Sequence, residues 1–318
     1  MTQDLPLVDT NRKKVYNKTI MSIGNLISKD DLRHMQLIEL KILNEVKRIC
    51  EKNSIPYFLI AGTLIGAARH QGFIPWDDDI DIMMPRNDYE KFVREVDRYL
   101  PDYYKLLYYG EHYNDDIKEE MVRQIASSAV AKILDMRYAV KRTVWSKDHI
   151  QPIWIDIAVL DEIPENNLSL WIYRKRLMFN HYALRVNRLE YKGDNHVSKQ
   201  KVADIALAIN RVFHFGKLID PIKIIKRMDD ILKSYDNRGY SRYINFYGEY
   251  KFKEVVPVDF LGKDTFLDFE GIPMRVPEHY DIYLKACYGD YMKLPPVEDR
   301  VCKHKMELIR IEEGKANA

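Results

Sequence analysis

At positions 31–53 the apolar residues Leu32, Met35, Ile38, Ile42, Val46 and Ile49 recur at spacings of three and four. That period places them on one stripe of an amphipathic helix of about five to six turns, with Asp30 or Asp31 positioned to cap its start. The compact apolar run at 55–61, ended by Gly62, has the texture of a buried strand. Positions 63–70 then predict a short helix stopped by Gly72. Ile80, Ile82 and Met84 alternate with Asp79, Asp81 and Met83, a second strand that Pro85 closes. After it, Asn87 or Asp88 can cap a helix whose Tyr89, Phe92, Val93, Val96 and Leu100 share one face.

Farther along, strands are expected at 104–109, 129–134 and 154–160, followed by helices at 168–190, 198–215 and 220–236. Asp220-Pro221 reads as a helix cap followed by proline in the first turn. A strand at 243–247, a helix at 281–288 and a last helix from about Arg300 complete the chain. Strands and helices that alternate early and then give way to helices imply an α/β (α+β) fold, a mixed sheet flanked by helices with a helical subdomain. The expected organisation is an N-terminal extension at 1–30, a catalytic core at 31–165, a helical subdomain at 166–240 and a mixed C-terminal segment at 241–318 that packs back on the core.

Composition narrows the function classes. With 318 residues and 46% hydrophobic content the chain can bury a substantial core. Fifty Lys and Arg against 48 Asp and Glu leave a formal charge of +2, which supplies no overall attraction for nucleic acid. No run approaches the roughly 20 apolar residues of a membrane span, and the first residues lack a signal-like apolar segment, so a cytoplasmic location is expected. Cys50, Cys287 and Cys302 have neither disulfide-framework nor zinc-ligand spacing and read as reduced thiols.

The chemistry concentrates in "PWDDDIDIMM", residues 75–84, where four carboxylates fall within five positions. Residues two apart on a strand face the same way, about 6.5 to 7 Å apart, so Asp79 and Asp81 would converge. Unpaired and partly buried, they would repel, and one would take up a proton. A hard divalent ion, Mg²⁺ or Mn²⁺, resolves that conflict, and such ions are usually held by one or two carboxylates together with substrate phosphates. Asp156, isolated among Ile155, Ile157, Val159 and Leu160, is the candidate third acid. Gly62 and Thr63, at a strand-to-helix junction, can offer backbone N–H groups and a hydroxyl to a phosphate, with Arg69 and His70 in reach of the same anion. The competing readings are a solvent-facing capping turn for Asp77 and Asp78, a buried ion pair for Asp156 and a surface position for His70. An EF-hand would require Gly where Ile82 stands.

"AGTLIGAARHQGFIPWDDDIDIMMPRNDYEKF", "WIDIAVLDEIP" and "YGDYMKLPP" together resemble the LicD family of phosphotransferases, relatives of fukutin and fukutin-related protein within the nucleotidyltransferase superfamily. The resemblance runs from about Leu32 to His304. It implies a nucleotidyltransferase-type core in which Gly62-Thr63 is the phosphate turn, Asp79 and Asp81 the metal pair and Asp156 the third acid. At Lys132-Ile133-Leu134-Asp135-Met136-Arg137-Tyr138 the chain departs from the family's basic-acidic-polar run, so no donor contact carries over to Lys132 or Arg137.

The implied reaction moves phosphocholine from CDP-choline to a sugar hydroxyl of a cell-surface glycopolymer precursor, such as teichoic acid or lipopolysaccharide, and releases CMP. CDP-glycerol or CDP-ribitol would use the same metal chemistry. A metal-dependent glycosyltransferase, a true nucleotidyltransferase and a non-catalytic choline- or glycopolymer-binding protein are the rivals. A choline head would favour an aromatic cage, for which Tyr108, Tyr109, Trp145 and Trp154 are conceivable members. Arg174, Lys175, Arg176, Arg185 and Arg188 fit either a solvated helix face or peripheral contact with the inner face of the plasma membrane, where a lipid-linked glycan acceptor would lie.

Overall fold

The computed structural model describes residues 27–108, 131–144, 147–192, 215–302 and 306–310. Helix α1 spans Lys29–Lys52. Its cap is Ser28 and not the expected Asp30 or Asp31: the Ser28 hydroxyl accepts from the Asp31 N–H, and both aspartates lie in the first turn, where they complement the helix dipole. The short strand β1 (Phe58–Leu59) is followed by helix α2 (Ala61–His70), which ends at a left-handed Gln71 rather than at Gly72. Strand β2 (Asp81–Pro85) runs directly into helix α3 (Arg86–Glu95) with no side-chain cap, so Asn87 and Asp88 sit inside its first turn.

Strand β3 (Tyr104–Leu107) precedes two long strands, β4 (Ala131–Val144) and β5 (Lys147–Glu162), which pair antiparallel with a register shift between Asp135 and Ala139. Both exceed their predicted length because the hairpin continues past the apolar segments. Helices α4 (Asn167–Lys192) and α5 (Pro221–Lys233) follow, and Asp220 caps α5 as expected. The expected helix at 198–215 falls on 198–214, outside the described residues, apart from Phe215, which opens a 3-10 turn. Strands β6 (Arg242–Ile244) and β7 (Val255–Pro257), the hairpin β8 (Thr265–Phe269) and β9 (Ile272–Val276), helix α6 (Tyr280–Tyr288) and strand β10 (Met306–Arg310) complete the order.

The last of these corrects the helix expected from Arg300. Residues 306–310 instead pair antiparallel with 138–142 of β4, supplying hydrogen-bond partners to an otherwise open strand edge. The main sheet has the order β1-β2-β5-β4-β10, with β3 on β4 and β6 and β7 extending β5. β2 and β5 are parallel, whereas β1 is antiparallel to β2, so the sheet is mixed as predicted.

One apolar cluster joins the α1 stripe, including Met35, Ile38, Ile42 and Val46, to the sheet residues Ile82, Met84, Ile155 and Ile157. A second gathers Tyr173 and Leu177 of α4 with Ile225, Met228 and Leu232 of α5 against Ile163, Ile244 and Phe246. The first holds α1 over the strands that carry the acids, and this positions the site.

Candidate active site

Asp81 opens β2 and is the register partner of Asp156 on β5. The Asp156 N–H donates to the Ile80 carbonyl at 2.9 Å, locking that register. Neighbouring strands lie about 4.8 Å apart, so the two carboxylates share one end of the parallel pair. Asp79 precedes β2, so its approach to Asp81 comes from the turn before the strand rather than from alternation along it. Asp79, Asp81 and Asp156, with Asp77, line a cavity of about 470 Å³ whose far wall includes Tyr247, Glu254, Tyr283 and Tyr288.

The turn into α2 forms the adjoining wall. Ile60 donates to the Asp81 carbonyl at 3.2 Å, and Ala61 then takes φ +53°, a left-handed conformation that costs a non-glycine residue of order 1 kcal/mol or more. Gly62 follows in the first turn of α2. A Cβ there would lie 2.5 Å from Asp77 Oδ2, so the glycine admits the Asp77 carboxylate to the helix N-terminus. The Thr63 hydroxyl is buried and accepts from the Asp81 N–H at 2.8 Å, which ties this turn to β2. Gly62 therefore faces the cavity, whereas Thr63 fixes the strand beside it.

Arg69 and His70 are not among the residues lining the cavity. They sit at the other end of α2, about 10 Å along its axis from Gly62. Arg69 donates to the carbonyls of Tyr291 and Lys293 and to His70 Nε2. Burial and the charge of Arg300 lower the pKa of its guanidinium, with Asp77 acting in the opposite sense.

Two residues of this region, Gln36 and Glu39, were not singled out by the sequence pattern, and Lys132 was named there without a role. Lys132 on β4 is the register partner of Asp156, and its ammonium donates to Asp156 Oδ1 while Trp154 Nε1 donates to Oδ2 at 3.1 Å. The ion pair considered for Asp156 thus exists, yet the aspartate still faces the cavity with its side chain 23% exposed. Arg137, by contrast, pairs with Asp135 and stacks over Tyr103 away from the acids. On α1, Gln36 donates to the Asp77 carbonyl at 2.9 Å, and Glu39 is 3% exposed with Oε2 lacking any hydrogen-bond partner. Glu39 stands four residues after Met35 and three before Ile42, an acid inside the apolar stripe, and that placement was the available signal.

Glu39 faces a second cavity of about 220 Å³, between α1 and the sheet, which shares Asp79 and Asp156 with the first. The electrostatics of the two cavities are those of crowded acids. Burial, then the charges of Asp79 and Asp156, push the Asp81 carboxyl well above the usual range. Burial and then Asp79 and Asp78 do the same to Asp77. Glu39 is raised by burial first and then by Asp79, Asp78, Asp77 and Asp156.

Among the described residues, no group of three or more His, Cys, Asp or Glu side chains is arranged so that it could hold a metal ion. The donor chemistry nevertheless fits a hard cation. All the acids present oxygen only, and at the half-buried Asp81 the like charges of Asp79 and Asp156 outweigh the opposing charge of Lys132.

Comparison with known proteins identifies relatives. The model of the LicD/FKTN/FKRP nucleotidyltransferase domain matches residues 54–150. A lipopolysaccharide cholinephosphotransferase LicD from Haemophilus influenzae is 31% identical over 283 residues, covering 87% of this chain and 97% of the relative. The chain belongs to the LicD family. Two uncharacterized proteins, of Rickettsia typhi and Rickettsia prowazekii, are each 38% identical over 72 and 77 residues, 23% of this chain and 22% and 27% of theirs.

Proposed function

We propose that this LicD-family protein transfers phosphocholine from CDP-choline to a sugar hydroxyl of a cell-surface glycopolymer precursor, with CMP as the leaving group. The observation that carries the proposal is the side-by-side register of Asp81 and Asp156, with Asp79 lining the same cavity. The name of the Haemophilus relative adds choline as the head group and lipopolysaccharide as one class of acceptor.

Asp79, Asp81 and Asp156 would hold Mg²⁺ or Mn²⁺, which when bound supplies neutralising charge to a diphosphate. Lys132 and Trp154 hold the Asp156 carboxylate in one orientation, so it suits fixing the acceptor hydroxyl in line with phosphorus. Gly62 leaves the α2 N-terminus open to an oxygen of either Asp77 or substrate phosphate. The wall of Tyr247, Tyr283 and Tyr288 offers flat surface to a nucleotide base or sugar.

Purified protein incubated with CDP-choline, CDP-glycerol and CDP-ribitol, each with Mg²⁺ or Mn²⁺, tests the reading directly. Release of CMP fastest from CDP-choline is expected. Release of pyrophosphate, or no turnover of any CDP-alcohol with either metal, would sink it.

Among the described residues, no helix is long and apolar enough to cross a membrane. We place the acceptor instead at an anionic lipid surface contacted by α4, where Leu168, Trp171, Ile172 and Phe179 are exposed beside Arg174, Lys175 and Arg176. Sedimentation with anionic liposomes should be strong at low salt and weakened by Trp171→Glu. Binding indifferent to both would remove the membrane from the scheme.

A further inference from the structure

The smaller cavity has a composition that neither a phosphate nor a sugar explains. Its apolar wall is Met35, Val140, Ile153, Met306 and the Trp154 ring. Its charged wall is Glu39, Asp78, Asp79 and Asp156 against one ammonium, that of Lys132. A phosphate would meet mostly like charge there. A glycerol or ribitol chain could donate its hydroxyls to these carboxylates, but it would also set hydroxyls against Met35, Val140, Ile153 and Met306, which return no hydrogen bond.

Glu39 is the telling feature. A carboxyl group with an unpartnered oxygen is costly at a position 97% shielded from water, on the stripe that otherwise builds the core. Nothing in the packing of α1 requires an acid there, since Met35 and Ile42 on either side are apolar. Glu39 lines a chamber in which four carboxylates stand with the Lys132 ammonium, which itself lies 4.9 Å from the centre of the Trp154 ring. An alkylammonium suits that surplus of negative charge: its methyl groups would meet Met35, Val140, Ile153 and Met306, and its charge would answer Glu39. Asp79 and Asp156 line both cavities, so a phosphoryl group at these acids leaves a short substituent on the Glu39 side and a nucleotide on the tyrosine side.

We propose that the chamber bounded by Glu39, Met35, Trp154 and Met306 is the subsite for the ammonium head of the transferred group, with Glu39 as its counter-charge and the determinant of head-group choice. This rests on the transferase reading, and the test separates the two.

In steady-state assays Glu39→Gln should raise the KM for CDP-choline by about tenfold or more while changing inhibition by CDP, which lacks the head, by less than about twofold. Tetramethylammonium, titrated into wild-type protein by calorimetry, should bind, and Glu39→Gln should lose that binding. Glu39→Met should fold with an undiminished melting temperature, because it removes an unpartnered buried acid, and should favour CDP-glycerol over CDP-choline relative to wild type. If Glu39→Gln instead weakens CDP-choline, CDP-glycerol and Mn²⁺ alike, Glu39 belongs with the cation-holding acids and the subsite is refuted. Turnover of CDP-choline with no tetramethylammonium binding and no Glu39→Gln effect leaves the transferase reading standing and removes the subsite. Glu39-dependent binding of tetramethylammonium by a protein that turns over no CDP-alcohol does the reverse.

Discussion

Two buried charge clusters occupy the same pair of parallel strands, and they are built on opposite principles. At one end Asp81 faces Asp156 across the β2–β5 register, with Asp79, Asp77 and Glu39 nearby. Four residues on, Pro85 faces Leu160, and just beyond them Arg86, which opens α3, joins Asp161 of β5 at 2.6 Å. Arg86 also reaches Asp229 of α5 at 2.9 Å, and Lys233 bridges Asp229 and Glu90 at 2.8 Å each. The second cluster pairs its carboxylates with Arg86 and Lys233 and clamps α5 to the sheet, with Asp161 Oδ2 left without a hydrogen-bond partner. In the first, the Lys132 ammonium bonds Asp156, and burial and like charge raise the pKa values of Asp77 and Asp81. Charge that a fold leaves uncompensated marks binding, whereas charge that it completes marks architecture.

The largest contrast should come from mutating one end at a time. Asp81→Asn is expected to lower kcat by at least about 10²- to 10³-fold while the melting temperature does not fall, because it removes a repelled charge. Assays of CMP release paired with thermal melts would show this, and a large loss of stability would erase the distinction. Arg86→Met should do the opposite, costing about 3–5 kcal/mol in urea unfolding by stranding Asp161, while folded protein keeps turnover of the same order.

Next in size is the effect of the proposed cation. Mn²⁺ at a hundred times its dissociation constant should stabilise wild-type protein by about 2.7 kcal/mol and leave Asp81→Asn nearly unchanged. Equal stabilisation of both proteins would disconnect the ion from these acids. Smallest is the ion pair of Arg33 with Glu270, where a half-exposed guanidinium on α1 holds the turn between β8 and β9. Its hydrogen bonds keep the Glu270 carboxyl below its ordinary 4.5. A depressed carboxyl contributes stability above the ordinary value and loses it as pH falls through the folded one. Arg33→Ala should therefore cost under about 1 kcal/mol at pH 7 and nothing once Glu270 is protonated, as urea unfolding at both pH values would reveal.

Much of the acidic end was legible beforehand because its chemistry is local. Four aspartates in five positions, and a lone acid in the apolar 154–160 run, announce themselves without a partner in view. Gly62 was legible for the same reason, as a turn residue between two periodic segments. Arg69 and His70 were placed by proximity in sequence, and α2 carries them about two turns from Gly62, with the Arg69 charge still acting on Asp77. The N-caps at Ser28 and Pro85 lie a few residues before the acids chosen for those roles, since the helices begin earlier than their apolar stripes.

The amino-acid sequence by itself determined the mixed helix-and-strand texture, the clustering of acids at 77–81 and the family resemblance, all of which depend on short-range periodicity and residue type. Only the tertiary structure decided that Lys132 grips Asp156, that residues 306–310 form an edge strand and that Glu39 turns its carboxyl into a chamber. Those outcomes rest on the register between segments distant in the chain, set by which faces bury best against one another, and no local period encodes that choice.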